Sequence, residues 1–264
     1  MFERRELSAD LAAVRDVHAP GALILDSDGD FETLPPSVAE TLLAVVDSLD
    51  PLAYDPDWVP ADAPEPLSRL AGGEFTVGAP GDGGVAWTRQ TEPPTVFVKP
   101  RLEGSPDGFV DFLVGEALVE LGLGKPESFL GFFGEAYPEL SAATGLSPAD
   151  TYQLAVALYD AYLGHHTRET FAGWAGDREE LHAQWVDAGE RLEPRLSELS
   201  TEVAVGRTDF AAAAELACAA VKHDLEVPKP FDALDSPAYR SHGPDFAVRW
   251  AEKTFAALGG DGDA

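Results

Sequence analysis

The chain has 264 residues, 45% of them hydrophobic, enough to bury a sizeable core and too many for an acidic disordered segment. Eighteen Lys and Arg stand against 47 Asp and Glu, a formal net charge of −29, which excludes a broad basic face for nucleic acid. The single cysteine, Cys218, excludes an intrachain disulfide. No uncharged apolar run of about 18 residues offers a membrane span, and no apolar run follows the opening MFERRELSAD, so a cytoplasmic, membrane-free protein is expected.

In chain order, residues 8–18 read as a short helix capped by Ser8 and ended at Ala19-Pro20-Gly21. Residues 22–25 (ALIL) fit a short strand or a buried loop, and run into Asp26-Ser27-Asp28-Gly29-Asp30. A second helix is expected from Pro36, with Ser37 and Glu40 as a capping box, through Leu49. Residues 51–66 carry prolines at 51, 56, 60, 64 and 66 and predict an irregular wrap pinned by Tyr54 and Trp58. Residues 74–101 turn extended: EFTV, VAWTRQ and TVFVKPR predict a small antiparallel sheet of two or three strands. Asp82-Gly83 is the hairpin signal. The Gly-rich turn between these strands lacks the Lys-Ser/Thr ending of a phosphate loop.

Ser105 to His166 reads as three consecutive helices and holds the densest aromatic and aliphatic content, so it is the expected core. The first starts at Ser105-Pro106, the second at Lys125-Pro126 and the third at Ser147-Pro148. Thr167–Trp174 is a further short helix, and Asp177 caps a long one that Pro194 is expected to kink or split. Asp209–Leu225 is Ala-rich, with Cys218 as a small buried hydrophobe. The last helix is expected over 245–258, followed by a disordered tail at 259–264. The fold class is mainly α: one bundle-like domain over 1–258, with a mixed part (1–104) bearing a β-hairpin or three-stranded sheet and a helical core (105–258).

The sharpest local motif is LILDSDGD. An apolar run ending in Asp-x-Asp-Gly resembles the first motif of haloacid-dehalogenase-type phosphatases. The resemblance implies Asp26 as nucleophile and Asp28 as acid or base beside Mg²⁺. Against it, that fold needs repeated strand–helix units, the later chain reads as helical, and no acidic pair stands out after a later strand. The bland alternative is an acidic turn after a short strand. Glu179 and His182, three apart on one helix face, have the spacing of carboxylate-bundle metal sites, but no second Glu-x-x-His exists. His165 and His166 are adjacent, point in different directions, and read as a basic end to the third helix. No nucleophilic Ser or Cys constellation is present, and no cofactor is implied.

The charge map has two unusual regions. Between residues 71 and 124 the only cations are Arg89, Lys99 and Arg101, all on the predicted sheet near Trp87 and Phe97. Between Lys222 and Lys253, five Lys and Arg nearly balance six Asp and Glu. Local ion pairing explains both. The functional alternative is convergence of Arg89, Lys99, Arg101, Lys222, His223, His242 and Arg249 on a protein partner or an anionic small molecule. The leading expectation is a non-catalytic partner-binding protein. An enzyme acting on an anionic small molecule comes second, and a phosphatase-like site at Asp26 and Asp28 last.

Abundant acids with only five lysines suit concentrated salt, which screens self-repulsion, and this pattern resembles proteins of extremely halophilic archaea. Through GGVAWTRQTEPPTVFVKPRLEGSP, GFFGEAYPEL, AVKHDLEVPKPFDAL and HGPDFAVRWAEKTF, nearly the whole chain resembles an uncharacterised family of acidic haloarchaeal proteins. That resemblance implies no activity, fold or site residues.

Overall fold

A computed structural model of the chain describes residues 2–78 and 83–260. Asp82 of the predicted Asp82-Gly83 turn and the last four residues of the tail lie outside the described residues. The fold is mainly helical, as expected, and divides into two compact units, each assembled from separated stretches. The first comprises Met1–Pro56, Glu65–Ser128 and Thr170–Gln184; the second comprises Asp57–Pro64, Phe129–Glu169 and Trp185–Ala264. The division does not fall at 104/105. The aromatic-rich block from 105 to 166 is shared: its first helix belongs to one unit and the rest to the other.

The first unit opens with strand β1 (Phe2–Arg4) and helix α1 (Ala9–His18), whose Ser8 hydroxyl accepts the Leu11 N–H as an N-cap. Strand β2 (Leu23–Ser27) follows, then helix α2 (Pro36–Leu42) and strand β3 (Ser48–Leu49). The expected capping box is not used: Pro35 precedes α2 with no side-chain cap, and the helix ends seven residues early, at Leu42. Helix α3 (Glu65–Ala71) occupies the end of the Pro-rich stretch, where no regular structure was expected. Its start needs no free N–H, which is why the proline at its second position is tolerated. Strands β4 (Val85–Thr88), β5 (Thr91–Glu92) and β6 (Thr95–Val98) lead into helix α4 (Asp107–Gly122).

The main sheet runs β1-β2-β6-β4. The expected purely antiparallel sheet is therefore corrected. β4 and β6 form the predicted antiparallel pair, but β2 lies parallel to β6, with Leu23 opposite Thr95 and Asp26 opposite Val98. β1 closes the far edge antiparallel to β2, and β3 and β5 form a separate two-stranded ribbon. EFTV contributes only a bridge between Thr33 and Thr76.

Side chains alternate across the sheet. Phe2, Leu25, Ala86 and Phe97 face Leu34, Leu42, Val46, Phe75 and Val77 in one buried cluster. At its centre Phe2, Phe31 and Phe97 meet with ring centroids 5.5–5.8 Å apart, the edge and tilted geometry aromatic quadrupoles favour. The opposite face, with Ile24, Asp26, Val96 and Val98, is the one over which α4 runs. Helix α1 packs on α4 where Gly115 leaves room for Leu11, Trp174 and Leu181. At Gly122 the carbonyl of His18 comes so close that an added Cβ would sit 2.2 Å from its oxygen.

The second unit is helical. The predicted second helix of the block is broken into α5 (Phe129–Phe133) and α6 (Ala136–Thr144) by Gly134, whose φ of +52° a helix interior cannot accommodate. The Trp58 ring lies against that glycine. The third helix and the short one after it are a single helix, α7 (Pro148–Gly173). His165 is accordingly buried mid-helix and is not a basic end turn. Helix α8 (Glu179–Ala204) continues through Pro194 without being split. Helix α9 (Phe210–Lys222) starts at Asp209, whose carboxylate accepts the Ala212 N–H. Its alanines and Cys218 are buried, and burial raises the thiol's pKa, so Cys218 is an inert hydrophobe. Helix α10 (Pro237–Gly260) starts earlier than expected and is interrupted at Gly243 (φ 48°, ψ −120°) ahead of Pro244. It also takes in Gly259 and Gly260, the first residues of the expected tail.

Candidate functional site

The carboxyl ends of the parallel β2–β6 pair open into a cleft of about 490 Å³ in the first unit. Crevices outside the carboxyl ends of parallel strands are where open α/β sheets bind ligands, because the backbone stops there and loops diverge. The walls come from three places. Asp26, Ser27 and Asp28 end β2; Val98, Lys99 and Pro100 end β6; Glu103, Ser105 and Asp107 lead into α4. Arg5, just past β1, closes the remaining side.

Strand alternation puts Asp26 on the α4 face of the sheet, where Arg5 Nη1 donates to its Oδ1 at 2.7 Å. Ser27, on the opposite face, is buried and donates to the Gly29 carbonyl at 2.8 Å, which tightens the Asp-Gly turn. Lys99 is held by its own backbone: its N–H donates to the Gly84 carbonyl at 2.7 Å, and its carbonyl accepts from Leu102 in a short 3₁₀ turn. Its side chain is 2% exposed, an unusual place for an ammonium group. Beside it, Arg101 grips Asp30 with Nε–Oδ2 2.8 Å and Nη2–Oδ1 2.5 Å. That pair holds the Asp30 carboxyl below its usual range, with the field of Lys99 adding to it. No side chain caps the N-terminus of α4, whose first residue, Asp107, lines the cleft.

Of the residues singled out in the sequence, Asp26, Asp28 and Lys99 share this cleft, and Arg101 stands at its edge. Arg89 does not. It follows β4 at the other end of the sheet, where its guanidinium lies 5.1 Å from the Trp87 ring centroid and donates to the Lys125 carbonyl. Three anchors close that end. The Glu127 carboxylate accepts from Thr88 Oγ1 (2.6 Å), the Arg89 N–H (2.7 Å) and Gln90 Nε2 (2.5 Å). Burial nevertheless pushes Glu127 above the usual carboxylate range, because desolvation outweighs those donors.

Lys222, His223, His242 and Arg249 belong to the second unit. Lys222 and His223 end α9, where the Trp185 indole donates to the Lys222 carbonyl at 3.1 Å and His223 Nδ1 lies 3.0 Å from the Trp185 carbonyl. His242 and Arg249 are exposed on α10. A separate ionic staple joins α7 to the turn before α10: Arg168 pairs with Asp235 at 2.7 Å and Asp224 at 3.3 Å, and His165 Nε2 meets the Leu234 carbonyl at 2.7 Å. Burial lowers the His165 pKa, so the ring sits there as a neutral donor. Glu179 is exposed and His182 half-buried at the start of α8. Among the described residues no three His, Cys, Asp or Glu side chains are gathered as a metal-holding group.

Sequence reading missed Arg5, Glu103 and Asp107. Arg5 follows a three-residue strand too short to carry a period. Glu103 and Asp107 are the acidic pair after a strand that the phosphatase-like reading lacked; they follow β6 by five and nine residues and turn back onto the cleft.

The fold and cleft define a mainly helical protein with a four-stranded mixed sheet whose strand ends form a polar pocket. The chain belongs to the family of unknown function DUF7089, which matches residues 1–258. No curated protein and no solved structure matches it. Among the described residues no helix is long and apolar enough to cross a membrane.

Proposed function

We propose that this protein binds a small, polar, anion-bearing molecule in the cleft at the ends of β2 and β6. The observation that carries the reading is the meeting of Arg5 and the buried Lys99 with Asp26 and Asp28 where two parallel strands end. Arg5, Lys99 and the uncapped start of α4 suit an anionic group on the ligand. Asp28, Glu103 and Asp107 suit hydroxyl or ammonium groups, so the ligand class is amphoteric or hydroxylated, not a bare anion. A concave site favours a small molecule over the flat apolar surface a protein partner needs. The binder works in a salt-rich cytoplasm, in keeping with its acidic composition.

A second reading is supported by one observation. Asp26 and Asp28 stand at the carboxyl end of a strand parallel to its neighbour, with Glu103 and Asp107 on the same cleft, the placement a phosphatase-like site at these aspartates needs. The test of both is a thermal-shift panel in molar KCl of carboxylates, sugar phosphates and amino acids, with and without Mg²⁺. A stabilising ligand lost in Lys99→Gln and Asp28→Asn supports binding in the cleft. Stabilisation that needs Mg²⁺, with phosphate release, favours the second reading. A panel that shifts wild type and both variants alike rejects the cleft.

A further inference from the structure

Resting on the small-anion reading above, we infer that the ligand class is a short aminocarboxylic acid, bound as its zwitterion with the carboxylate on Arg5 and the ammonium group on Glu103 and Asp107. Strand register sets Arg5 on the face this needs. Glu3 stands opposite Asp26 in the β1–β2 ladder, so Arg5, two residues further on, shares the face that carries Asp26 and α4. The Arg5 backbone N–H donates to the Ile24 carbonyl at 2.9 Å, which extends the ladder and fixes the stem of the side chain. The guanidinium is a planar fork of donors, and Asp26 Oδ1 engages Nη1 at 2.7 Å. Among the described residues Asp26 is the one carboxylate that pairs with Arg5, so the rest of the fork is open to a carboxylate from outside.

From Arg5 the wall runs through apolar groups to acids. Val98 stands opposite Asp26 in the parallel ladder and lines the cleft. Val110 lies three residues after Asp107 on α4, so the two share one side of the helix, and both line the cleft as well. Glu103, in the turn before α4, adds a second carboxylate at that end. Among the described residues neither the Glu103 nor the Asp107 side chain has a hydrogen-bond or ion-pair partner. A simple carboxylate satisfies Arg5 but sets nothing positive against Glu103 and Asp107. An amine satisfies those acids and leaves Arg5 unanswered. A molecule carrying both groups matches the wall at each end, and its methylene carbons suit the valines between. Binding is by charge and contact alone, with no covalent step.

The test is calorimetric titration of the full chain in molar KCl with glycine, β-alanine and γ-aminobutyrate. Each is set against the acid that lacks its amine (acetate, propionate, butyrate) and against propylamine, which lacks the acid. The expected result is that one aminocarboxylate binds about tenfold or more tighter than its matched acid and than propylamine. Arg5→Gln should weaken the aminocarboxylate and the matched acid together. The double variant Glu103→Gln, Asp107→Asn should weaken the aminocarboxylate alone. The wild-type comparison decides the matter even if Arg5→Gln fails to fold. A matched acid that binds as tightly as the aminocarboxylate removes the zwitterion and leaves the anion site. Propylamine binding as tightly removes both. A double variant that binds the aminocarboxylate as wild type does overturns the role of the two acids. No binding by any of these probes overturns the proposal, and the anion reading falls with it only if the sugar phosphates of the panel above also leave the melting transition unchanged.

Discussion

Replacing Glu127 with Ala should loosen the end of the sheet opposite the cleft more than any surface change. The carboxylate accepts three hydrogen bonds, from Thr88, the Arg89 backbone and Gln90, all at 2.7 Å or less. A hydrogen bond to a charged group contributes about 1.5–3 kcal/mol, but these three share one desolvation cost, so they do not add. The expected loss is about 3 kcal/mol for Glu127→Ala, measured by urea denaturation in molar KCl. Glu127→Gln should lose less, because it keeps one acceptor and sets an amide against the donors. The pH dependence has a definite sign. Burial raises the folded pKa above the ordinary 4.5, so the folded state holds the proton to higher pH than the unfolded chain. The stability of wild type relative to Glu127→Gln should therefore be greatest below that ordinary value and fall as pH rises through the raised one. A Glu127→Ala loss under ~1 kcal/mol at unchanged m-value, or a wild-type-minus-Gln difference flat with pH, would refute the reasoning.

Four further outcomes are expected. Gly122→Ala places a Cβ 2.2 Å from the His18 carbonyl oxygen and 2.9 Å from its carbon, both backbone, so α1 and α4 must part at a cost of about 1–3 kcal/mol in thermal melts. Gly29→Ala, with nothing within 4 Å, should change stability by no more than ~0.5 kcal/mol. Phe97→Ala removes a fully buried ring that touches Phe2 and Phe31 and should cost about 3–5 kcal/mol, a loss visible in denaturant midpoints. Dialysis into low-salt buffer should unfold the chain, because a net charge of −29 is screened over about 3 Å at 1 M salt but over about 30 Å at 0.01 M. Unchanged circular dichroism after dialysis contradicts that.

The parts of this fold legible in the sequence were those decided locally. Ser8 and Asp209 cap helices as their side chains dictate, and the apolar run of TVFV makes a strand wherever it packs. Boundaries set by neighbours were not legible. Leu43 to Val46 carry on a helical period, yet the chain turns there because Asp47 and Asp50 donate their N–H groups to Glu92 and Gln90 across the β3–β5 ribbon. The site was half legible. Asp26-x-Asp28 announces itself as a motif and Lys99 as a rare cation, but their meeting depends on β2 and β6 lying parallel, which no local pattern encodes. Arg89 illustrates the converse. It lies ten residues from Lys99 in the sequence, but an antiparallel turn carries it to the other end of the sheet.

The same parallel pair bears on how the cleft comes into being. Leu23 pairs with Thr95, a separation of 95 − 23 = 72 residues, and Arg5 and Lys99 are 99 − 5 = 94 apart. Closing such a loop costs conformational entropy before any contact rewards it, and chains dominated by distant pairings fold slowly. During synthesis, Asp26 and Asp28 emerge long before β6 exists to stand beside them. A ligand for the cleft therefore has nothing to recognise on the nascent N-terminal segment and binds only after β6 has docked. Its binding would slow unfolding of the finished sheet without speeding the search that builds it, which makes the pocket a reporter of completed folding.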